Sequence, residues 1–304
     1  MSAPRVSVVV PARDAASTLP ALFAGLSAQA TPAGGVETIL VDSGSRDGSA
    51  AIGRTAGARV LEATRPGASA ARNAGVRAAR GELVVFLDSD CIPRPGWLAP
   101  LVAPFADAPE LGAVGGRVVA APSNTLLQRH AERRRYVSQE TAFADPRLPY
   151  VLTASCAYRR EVLERLGGFG EDLRSGEDVD LAWRMQRELG LGALYVADAV
   201  VEHVHRATLL GIWHQWVRYG WGGIQLRRRY PEMFATSPLP SGSRRSLGWL
   251  ARRLGSTARG MVRAALGRGD RLDVVGPALE GLERVAETVG RRQAVRAEDA
   301  APRP

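Results

Sequence analysis

The feature that most constrains the fold is the alternation of short apolar runs with helix-like segments through the N-terminal two fifths of the chain. Residues 6–10 are a valine-rich run that ends at Pro11, which is typical of a strand buried on both faces. Two further apolar runs, residues 36–41 and 83–87, lie on either side of an alanine-rich segment at 68–80 with helical composition. Since strands that alternate with helices form βαβ units, the sequence predicts an α/β fold with a mainly parallel sheet flanked by helices.

The predicted elements are less regularly spaced in the remainder of the chain. Further strands are predicted at residues 112–120, 150–158, 193–196 and 200–203, and further helices at residues 126–136, 159–166, 178–189 and 208–230. Residues 238–243 are rich in Pro, Ser and Gly, which is typical of a linker. We therefore expect one large domain over residues 1–230. A basic C-terminal appendage of two helices and a disordered tail is expected over residues 231–304.

The charge of the chain is concentrated in its C-terminal third. The sequence has 40 basic residues, all arginine, and a net charge of +9. Residues 206–304 contain 18 Arg and 8 acidic residues (+10), whereas residues 1–205 contain 22 Arg and 23 acidic residues (−1). A basic surface attracts phosphates, whether on nucleic acid, on anionic lipid or on a charged small molecule.

Cysteine content and hydropathy limit the compartment in which the protein is expected. Cys91 and Cys156 are the two cysteines, and neither has a CxxC partner, so we expect packing residues in a reducing compartment. The chain has no run of about 18 apolar residues that predicts a membrane-spanning helix. No signal-peptide pattern precedes the first strand. These features favour a location in the cytoplasm.

Two carboxylates, Asp88 and Asp90, directly follow the apolar run at 83–87. Ligands of open α/β sheets bind beyond the carboxyl ends of the strands. Carboxylate oxygens suit Mg²⁺ or Mn²⁺, which retain water ligands and take further ligands from substrate phosphates. Taken alone, the motif is equally consistent with a solvated turn that contains two acids.

Two other acidic motifs lie where chemistry is expected. Asp42 follows the second strand, where it could accept a hydrogen bond from a nucleobase or ribose, or could cap the next helix. Glu177, Asp178 and Asp180 cluster at the start of a predicted helix, where the helix dipole favours acids. One of these three carboxylates could serve as a general base. A capping role at the helix start is the alternative interpretation.

Taken together and in this order, the motifs resemble those of family-2 glycosyltransferases with the GT-A fold. The resemblance extends over residues 6–222 and rests on segments 8–13, 41–48, 71–75, 79–90, 167–169 and 176–181. It implies a metal-dependent, inverting enzyme that transfers a sugar from a nucleotide-diphosphate sugar to an acceptor hydroxyl. Polymerising members carry a Gln-x-x-Arg-Trp motif and membrane-spanning helices. This sequence contains neither, so we expect a non-processive enzyme.

The resemblance also implies roles for individual residues. Those implied at the nucleotide are Pro11, Arg13, Asp42, Ser43, Arg72, Asp88 and Ser89. Asp88 and Asp90 are implied as ligands of Mn²⁺ or Mg²⁺, with His203 preferred to His205 as a further ligand. Asp178 is implied as the catalytic base beside Glu177, and Asp180 remains an alternative base. Two positions depart from the family: Ser43 stands where many relatives have a second acid, and Asp14 where many have Asn.

Three rival interpretations remain open. A sugar nucleotidyltransferase would need a glycine-rich loop after the first strand, which this sequence lacks. A nucleic-acid-binding protein would use the basic C-terminal third, but no known nucleic-acid-binding signature is present, so we expect no nucleic-acid partner. A sugar-binding relative without catalysis would not need Asp88, Asp90 and Asp178.

Residues 208–230 combine several aromatic residues with four arginines, which favours the headgroup layer of an anionic membrane. The aromatic residues include Trp213, Trp216, Tyr219 and Trp221. The competing interpretation is that they close the acceptor side of the large domain. A peripheral contact with the inner face of the membrane fits a role in the cell envelope. The acceptor is then a lipid-linked, peptide or saccharide molecule.

Overall fold

The computed structural model describes residues 5–123, 125–235 and 270–299. The predicted linker at 238–243, the first of the two predicted C-terminal helices and the tail lie outside the described residues. The chain forms two compact units. The first contains residues 1–123, 135–173 and 177–205, and the second contains residues 124–134, 174–176 and 206–304. The proposed catalytic domain of residues 1–230 stays a prediction, because compactness does not show which residues catalysis requires.

The first unit contains eight strands and seven α-helices among the described residues. The strands are β1 (Val6–Ala12), β2 (Val36–Asp42), β3 (Arg59–Glu62), β4 (Leu83–Leu87), β5 (Cys91–Pro93), β6 (Leu111–Ala120), β7 (Ser155–Arg159) and β8 (Gly192–His203). The helices are α1 (Leu19–Ser27), α2 (Ser49–Thr55), α3 (Ala68–Ala78), α4 (Leu98–Val102), α6 (Gln139–Phe143), α7 (Arg160–Arg165) and α8 (Glu177–Leu189). In the second unit lie α5 (Leu126–Arg133), α9 (Leu209–Arg229) and α10 (Arg271–Asp299).

All eight strands form one sheet in the order β3-β2-β1-β4-β7-β6-β8-β5. Strands β1 to β4 are mutually parallel, and β6 and β8 run in the same direction as they do. Strands β7 and β5 run in the opposite direction, so six of the eight strands share one direction. The mainly parallel sheet predicted from the apolar runs is therefore confirmed.

The central strands are buried on both faces, as their uninterrupted apolar sequences predict. Val8 and Val85 belong to the core on one face of the sheet, and Val9 and Phe86 belong to the core on the other. Helices α1 and α4 contribute to the first core, and α3, α7 and α8 contribute to the second. This packing leaves the carboxyl ends of β1, β2 and β4 at one edge of the sheet.

The structure differs from the sequence prediction in the second half of the unit. The strand predicted at 150–158 begins at Ser155, because the preceding backbone is held by other contacts. The N–H of Leu152 donates to the side-chain oxygen of Gln139 (3.0 Å), and that of Tyr150 donates to the Ala142 carbonyl (3.3 Å). The two short strands predicted at 193–203 form the single strand β8, with an irregularity in its pairing with β6.

The described residues of the second unit are mainly helical. Helix α10 packs along α9 and is also tied to the short helix α5 by ion pairs. Arg133 on α5 pairs with Asp273 on α10 (2.8 Å), and the buried His130 lies 2.7 Å from the buried Glu283. No helix in the described part of the chain is both long and apolar enough to cross a membrane.

Two glycines permit the close packing of α9 and α10. A Cβ added at Gly220 would overlap the carbonyl oxygen of Glu287, and one added at Gly290 would overlap that of Val217. We expect Gly290→Ala to destabilise this helix pair by about 1–3 kcal/mol, since a backbone contact cannot yield as a flexible side chain does. Gly223→Ala is the matched control, because nothing lies within 4 Å of its added Cβ. It should be neutral or stabilising by up to about 1 kcal/mol. Equal stability of both variants in urea unfolding would contradict the close packing.

Candidate active site

The turn after β4 carries the paired carboxylates, and its shape is set by backbone contacts. The N–H of Cys91 donates to the carbonyl of Asp88 (2.9 Å), which closes the turn. The hydroxyl of Thr18 donates to the carbonyl of Ser89 (2.7 Å), which ties the turn to the start of α1. The side chains of Asp88 and Asp90 remain 29% and 24% exposed. Both carboxylates are therefore fixed in position and open to a ligand.

Strand β5 brings the end of β8 beside this turn. Cys91 pairs with His203 in the antiparallel register of the two strands, and the N–H of Val204 donates to the carbonyl of Asp90 (2.8 Å). As a result, His203 Nε2 lies 3.5 Å from Asp90 Oδ1. His203 Nδ1 lies 3.1 Å from Nδ1 of His205, and burial lowers the pKa of His205 to about 4. The structure thus places His203, rather than His205, against the carboxylate.

The donor groups at this turn fit a divalent cation. Ligand atoms of Asp90, Cys91 and His203 lie within 4.8 Å of one another. Cys91 is fully buried, and burial raises the pKa of its thiol well above the usual range, so the thiol is neutral. A carboxylate with an imidazole suits Mn²⁺ better than Mg²⁺, which prefers oxygen ligands alone. Both cysteines are buried free thiols in the core.

Arg72 on α3 joins this turn to the start of α8. Its side chain is 5% exposed, and it donates to Asp88 Oδ1 (2.8 Å) and to Glu177 Oε1 (2.7 Å). Burial opposes the charge of Arg72, but the two carboxylates outweigh it and raise the pKa of the guanidinium. The guanidinium carbon also lies 5.7 Å from the centre of the Phe169 ring. One buried cation therefore holds the two acidic motifs together, although they are far apart in sequence.

Asp178 lies next to this ion-pair network and is half-buried. Burial is the largest cause that raises the pKa of Asp178 to about 7, and the negative charge of Glu177 is the next. A hydrogen bond from the Val179 N–H (2.9 Å) lowers this pKa but does not outweigh them. The negative charge of Asp88 also raises this pKa, and the positive charge of Arg72 lowers it. A carboxylate with a pKa near neutrality suits proton transfer at physiological pH.

Asp180, the alternative base, has a different environment. Its side chain is fully buried and accepts a hydrogen bond from Arg184 Nε (2.9 Å). Arg184 also donates to the carbonyls of Leu166 (2.8 Å) and Gly168 (2.7 Å). Asp180 therefore orients an arginine that binds the end of α7, and its carboxylate has no surface open to an acceptor.

Asp42, at the end of β2, stabilises its own turn. The Ser45 N–H donates to Asp42 Oδ2 (3.1 Å), and the Ser45 hydroxyl donates to Asp42 Oδ1. The Ser43 N–H donates to the carbonyl of Ala12 at the end of β1 (2.9 Å). These contacts support the turn interpretation, and a contact of Asp42 or Ser43 with a nucleotide stays a prediction.

The loop after β1 is bound to the loop after β2. The Arg46 N–H donates to Asp14 Oδ1 (2.9 Å), and Asp14 has a positive φ of 49°. Pro11 lies opposite Val41 in the parallel register, whereas the side chain of Arg13 is 65% exposed. The predicted nucleotide residues of these two strands therefore lie at the same edge of the sheet.

Asn73 supports the site, although the sequence suggested no role for it beyond membership of a motif. Its side chain is buried and donates to the carbonyl of Phe169 (2.9 Å), while it accepts the Phe169 N–H (2.8 Å). Gly168 has a φ of +79°, and a Cβ there would overlap the Asn73 side chain. This pairing fixes the ring of Phe169 beneath Arg72. The glycine pair at 167–168 was the signal that could have indicated it.

Comparison with solved structures shows the fold. Glucosyl-3-phosphoglycerate synthase from Mycobacterium tuberculosis, in complex with Mn²⁺, UDP-glucose and phosphoglyceric acid, matches with a TM-score of 0.55 and 26% identity, covering 74% of this chain and 79% of that one. Mannosyltransferase PcManGT from Pyrobaculum calidifontis, in complex with GDP-Man and Mn²⁺, matches with a TM-score of 0.59 and 22% identity, covering 96% and 88%. The chain therefore has the GT-A fold.

Sequence comparison shows the family. The pre-mycofactocin glycosyltransferase of Mycobacterium tuberculosis (strain ATCC 25618 / H37Rv) is 32% identical over 269 residues, which are 83% of this chain and 53% of the relative. Glycosyltransferase AglE of Haloferax volcanii is 27% identical over 211 residues, covering 67% of this chain and 68% of AglE. This chain thus spans about half the length of the mycobacterial relative. Residues 7–167 match the family model described as glycosyl transferase family 2. The chain belongs to glycosyl transferase family 2.

Proposed function

We propose that this protein transfers one sugar at a time from a nucleotide-diphosphate sugar to an acceptor hydroxyl, with inversion at the anomeric carbon. The observation that carries the proposal is the buried side chain of Arg72, which is ion-paired to both Asp88 and Glu177. This pairing supports a site in which the carboxylates after β4, where a donor diphosphate is expected, lie close to Asp178, the proposed base. An enzyme that binds a donor and deprotonates an acceptor needs its donor-binding carboxylates and its base close together.

Asp88, Asp90 and His203 are the residues that would hold Mn²⁺ or Mg²⁺. A bound divalent cation supplies charge neutralisation for the leaving diphosphate. The proposal is supported by the donor atoms, since Asp90 and His203 already face each other at 3.5 Å. It is also supported by the mannosyltransferase and the synthase compared above, which were solved in complex with Mn²⁺.

Asp178 removes the proton from the acceptor hydroxyl as the oxygen of that hydroxyl attacks the anomeric carbon of the donor sugar. The bond to the leaving diphosphate breaks on the opposite side, so the configuration inverts. Glu177 and Asp88 hold Arg72, whose positive charge stays in place because it is buried and doubly paired. Asp180 contributes to the structure of α8 rather than to proton transfer, because Arg184 occupies its buried carboxylate.

The proposal predicts slow hydrolysis of UDP- or GDP-sugars without an added acceptor. The chain should release UDP or GDP from at least one sugar nucleotide in the presence of Mn²⁺, as measured by a coupled nucleotide assay. A purely binding protein that uses the basic C-terminal third would retain nucleic acid or free sugar and release no nucleotide. Absence of both turnover and binding for every UDP- and GDP-sugar tested would refute the enzymatic proposal.

We also propose a peripheral contact of the second unit with an anionic membrane. Helix α9 begins with two adjacent exposed leucines, Leu209 (53%) and Leu210 (64%). Arg218, two turns after Leu210, is exposed and forms no ion pair within the described part of the chain. An apolar helix end followed by a cation matches the boundary between acyl chains and phosphate headgroups.

In the structure, exposed leucines rather than the aromatic residues support this membrane contact. Trp216 and Tyr219 are half-buried against each other, with ring centres 5.7 Å apart. The guanidinium carbon of Arg174 lies 3.6 Å from the centre of the Trp221 ring. These aromatics therefore make contacts within their own unit, and the leucine pair is the exposed apolar feature of the helix.

Vesicle binding tests this contact. The full chain should co-sediment with vesicles that contain anionic lipid, and binding should weaken as salt rises. The double variant L209S/L210S should bind much more weakly. Val285→Ser is the control, because Val285 is similarly exposed (55%) but lies on α10. Equal binding to neutral and anionic vesicles, or unchanged binding of the leucine variant, would exclude the proposed contact.

A further inference from the structure

Two arginines and a tyrosine surround the carboxylate of Glu140. None of these residues is among those proposed above to bind the sugar donor, to hold the metal or to act as the base. Tyr195 on β8 donates to Glu140 Oε1 (3.0 Å), and Arg117 on β6 lies 3.7 Å from the same oxygen. Arg135 also pairs with Glu140. The side chains of Arg117 and Arg135 are 49% and 60% exposed. One carboxylate therefore neutralises only one of the two guanidinium charges. The cluster keeps a net positive charge, and both guanidinium groups are exposed to solvent.

Strand register places this cluster beside the proposed active site. Phe86 pairs with Cys156, and Cys156 pairs with Gly115, so these three residues lie level across β4, β7 and β6. Arg117 is two residues beyond Gly115, as Asp88 is two residues beyond Phe86, and the two strands run in the same direction. The strand spacing therefore puts the backbones of Arg117 and Asp88 on the order of 10 Å apart, with Asp88 in the turn after β4 and Arg117 at the irregularity in the pairing of β6 with β8.

The same residues define which face of the sheet carries the cluster. Side chains alternate along a strand, so Arg117 shares the face of Ala113, which belongs to the core that contains Phe86. A Cβ at Gly115, between these two positions on the same face, would meet Gln139 and Phe143 of α6. This is the face on which α3 and α8 pack, and those helices carry Arg72 and Asp178.

Stability does not explain the cluster. Ion pairs between exposed side chains contribute about 0–1 kcal/mol each. Arg135 has a φ of +51°, a left-handed conformation that costs a non-glycine residue free energy and is often retained at functional sites. A strained backbone that holds an exposed arginine next to a second arginine is better explained by a ligand that uses both.

We propose that Arg117 and Arg135 bind an anionic group of the acceptor, a phosphate or a carboxylate. This inference rests on the proposed function and specifies its acceptor class. Guanidinium groups bind such oxygens through paired hydrogen bonds. Glu140, anchored by Tyr195, holds the two side chains together. A separation of about 10 Å from the carboxylates after β4 leaves room for the donor sugar and for an acceptor whose hydroxyl lies a few bonds from its anionic group.

Direct binding of small anions tests the subsite in the full chain. Arginine Nε–Hε NMR resonances should be followed while inorganic phosphate or acetate is added at low and high salt. Arg117 and Arg135 should show saturable shifts that weaken at high salt, and the anion with the larger response identifies phosphate or carboxylate as the preferred group. Absence of a saturable shift for both anions would overturn the proposal. Nucleotide release from a sugar nucleotide, measured separately, tests the underlying function.

Matched variants separate binding from structure. Arg135→Gly removes the charge and suits the positive φ, so it should bind the preferred anion about tenfold more weakly or worse while its melting temperature stays equal or rises. Arg117→Gln should weaken binding similarly, and the exposed Arg77→Ala should not. Wild-type affinity in both cluster variants, or loss of affinity only together with loss of the folded state, would show that the cluster has a structural role alone.

Discussion

Replacing Asp178 with asparagine is expected to lower kcat by about 10²- to 10⁴-fold, the usual contribution of a positioned general base. Asparagine has nearly the same shape but cannot accept the acceptor proton. Donor affinity should not change, because the ion pairs of Arg72 with Asp88 and Glu177 do not involve this side chain. Nucleotide release under saturating donor and a separate measurement of nucleotide binding distinguish the two effects.

Asp180→Asn is the informative comparison. It leaves Arg184 without its buried partner, and the loss of one member of a buried ion pair costs about 3–5 kcal/mol of folding free energy. The variant should therefore be less stable, while the folded fraction keeps its turnover rate. If Asp178→Asn retained the wild-type rate and Asp180→Asn lost it, Asp180 rather than Asp178 would be the base.

The raised pKa of Asp178 also predicts a pH dependence that is independent of activity. Because the folded state holds this proton up to about pH 7, whereas an unfolded aspartate ionises near pH 4, ionisation destabilises the fold as pH rises through that window. Asp178→Asn should therefore be more stable than the wild type at pH 8 and similar to it at pH 4. The acid limb of kcat below about pH 7 should disappear in the same variant.

Replacing Asp90 with alanine is expected to abolish sugar transfer. This carboxylate faces His203 Nε2 at 3.5 Å, and alanine leaves the imidazole without its anionic partner. Binding of Mn²⁺, followed by electron paramagnetic resonance, should be lost with activity, and His203→Ala should weaken it more than His205→Ala does. Glu188→Ala, an exposed position on α8, is the control.

Chelation provides an independent check. Excess EDTA should stop turnover in the wild type, and added Mn²⁺ should restore it. Full activity in excess EDTA, or Mn²⁺ binding of wild-type strength in Asp90→Ala, would remove the metal from the proposed mechanism.

Local sequence determined the elements whose apolar pattern is long and uninterrupted. β1 and β4 coincide closely with runs that are buried on both faces, and α3 and α8 coincide with helical patterns. The paired carboxylates after β4 were also identifiable, since strand ends are where ligands of such sheets bind. In contrast, β5, α4 and α6 were not predicted, because elements of three to five residues are too short to show a period.

Only the tertiary structure decided which of the acidic residues act together. Arg72 and Glu177 are 105 positions apart, and the hydrogen bond between them depends on how α3 and α8 pack on the sheet. The choice between Asp178 and Asp180 likewise depends on Arg184, whose partners lie on two different segments. Local periodicity describes which face of an element is buried. It carries no information about which distant side chain will lie opposite, because that pairing arises only when the chain folds.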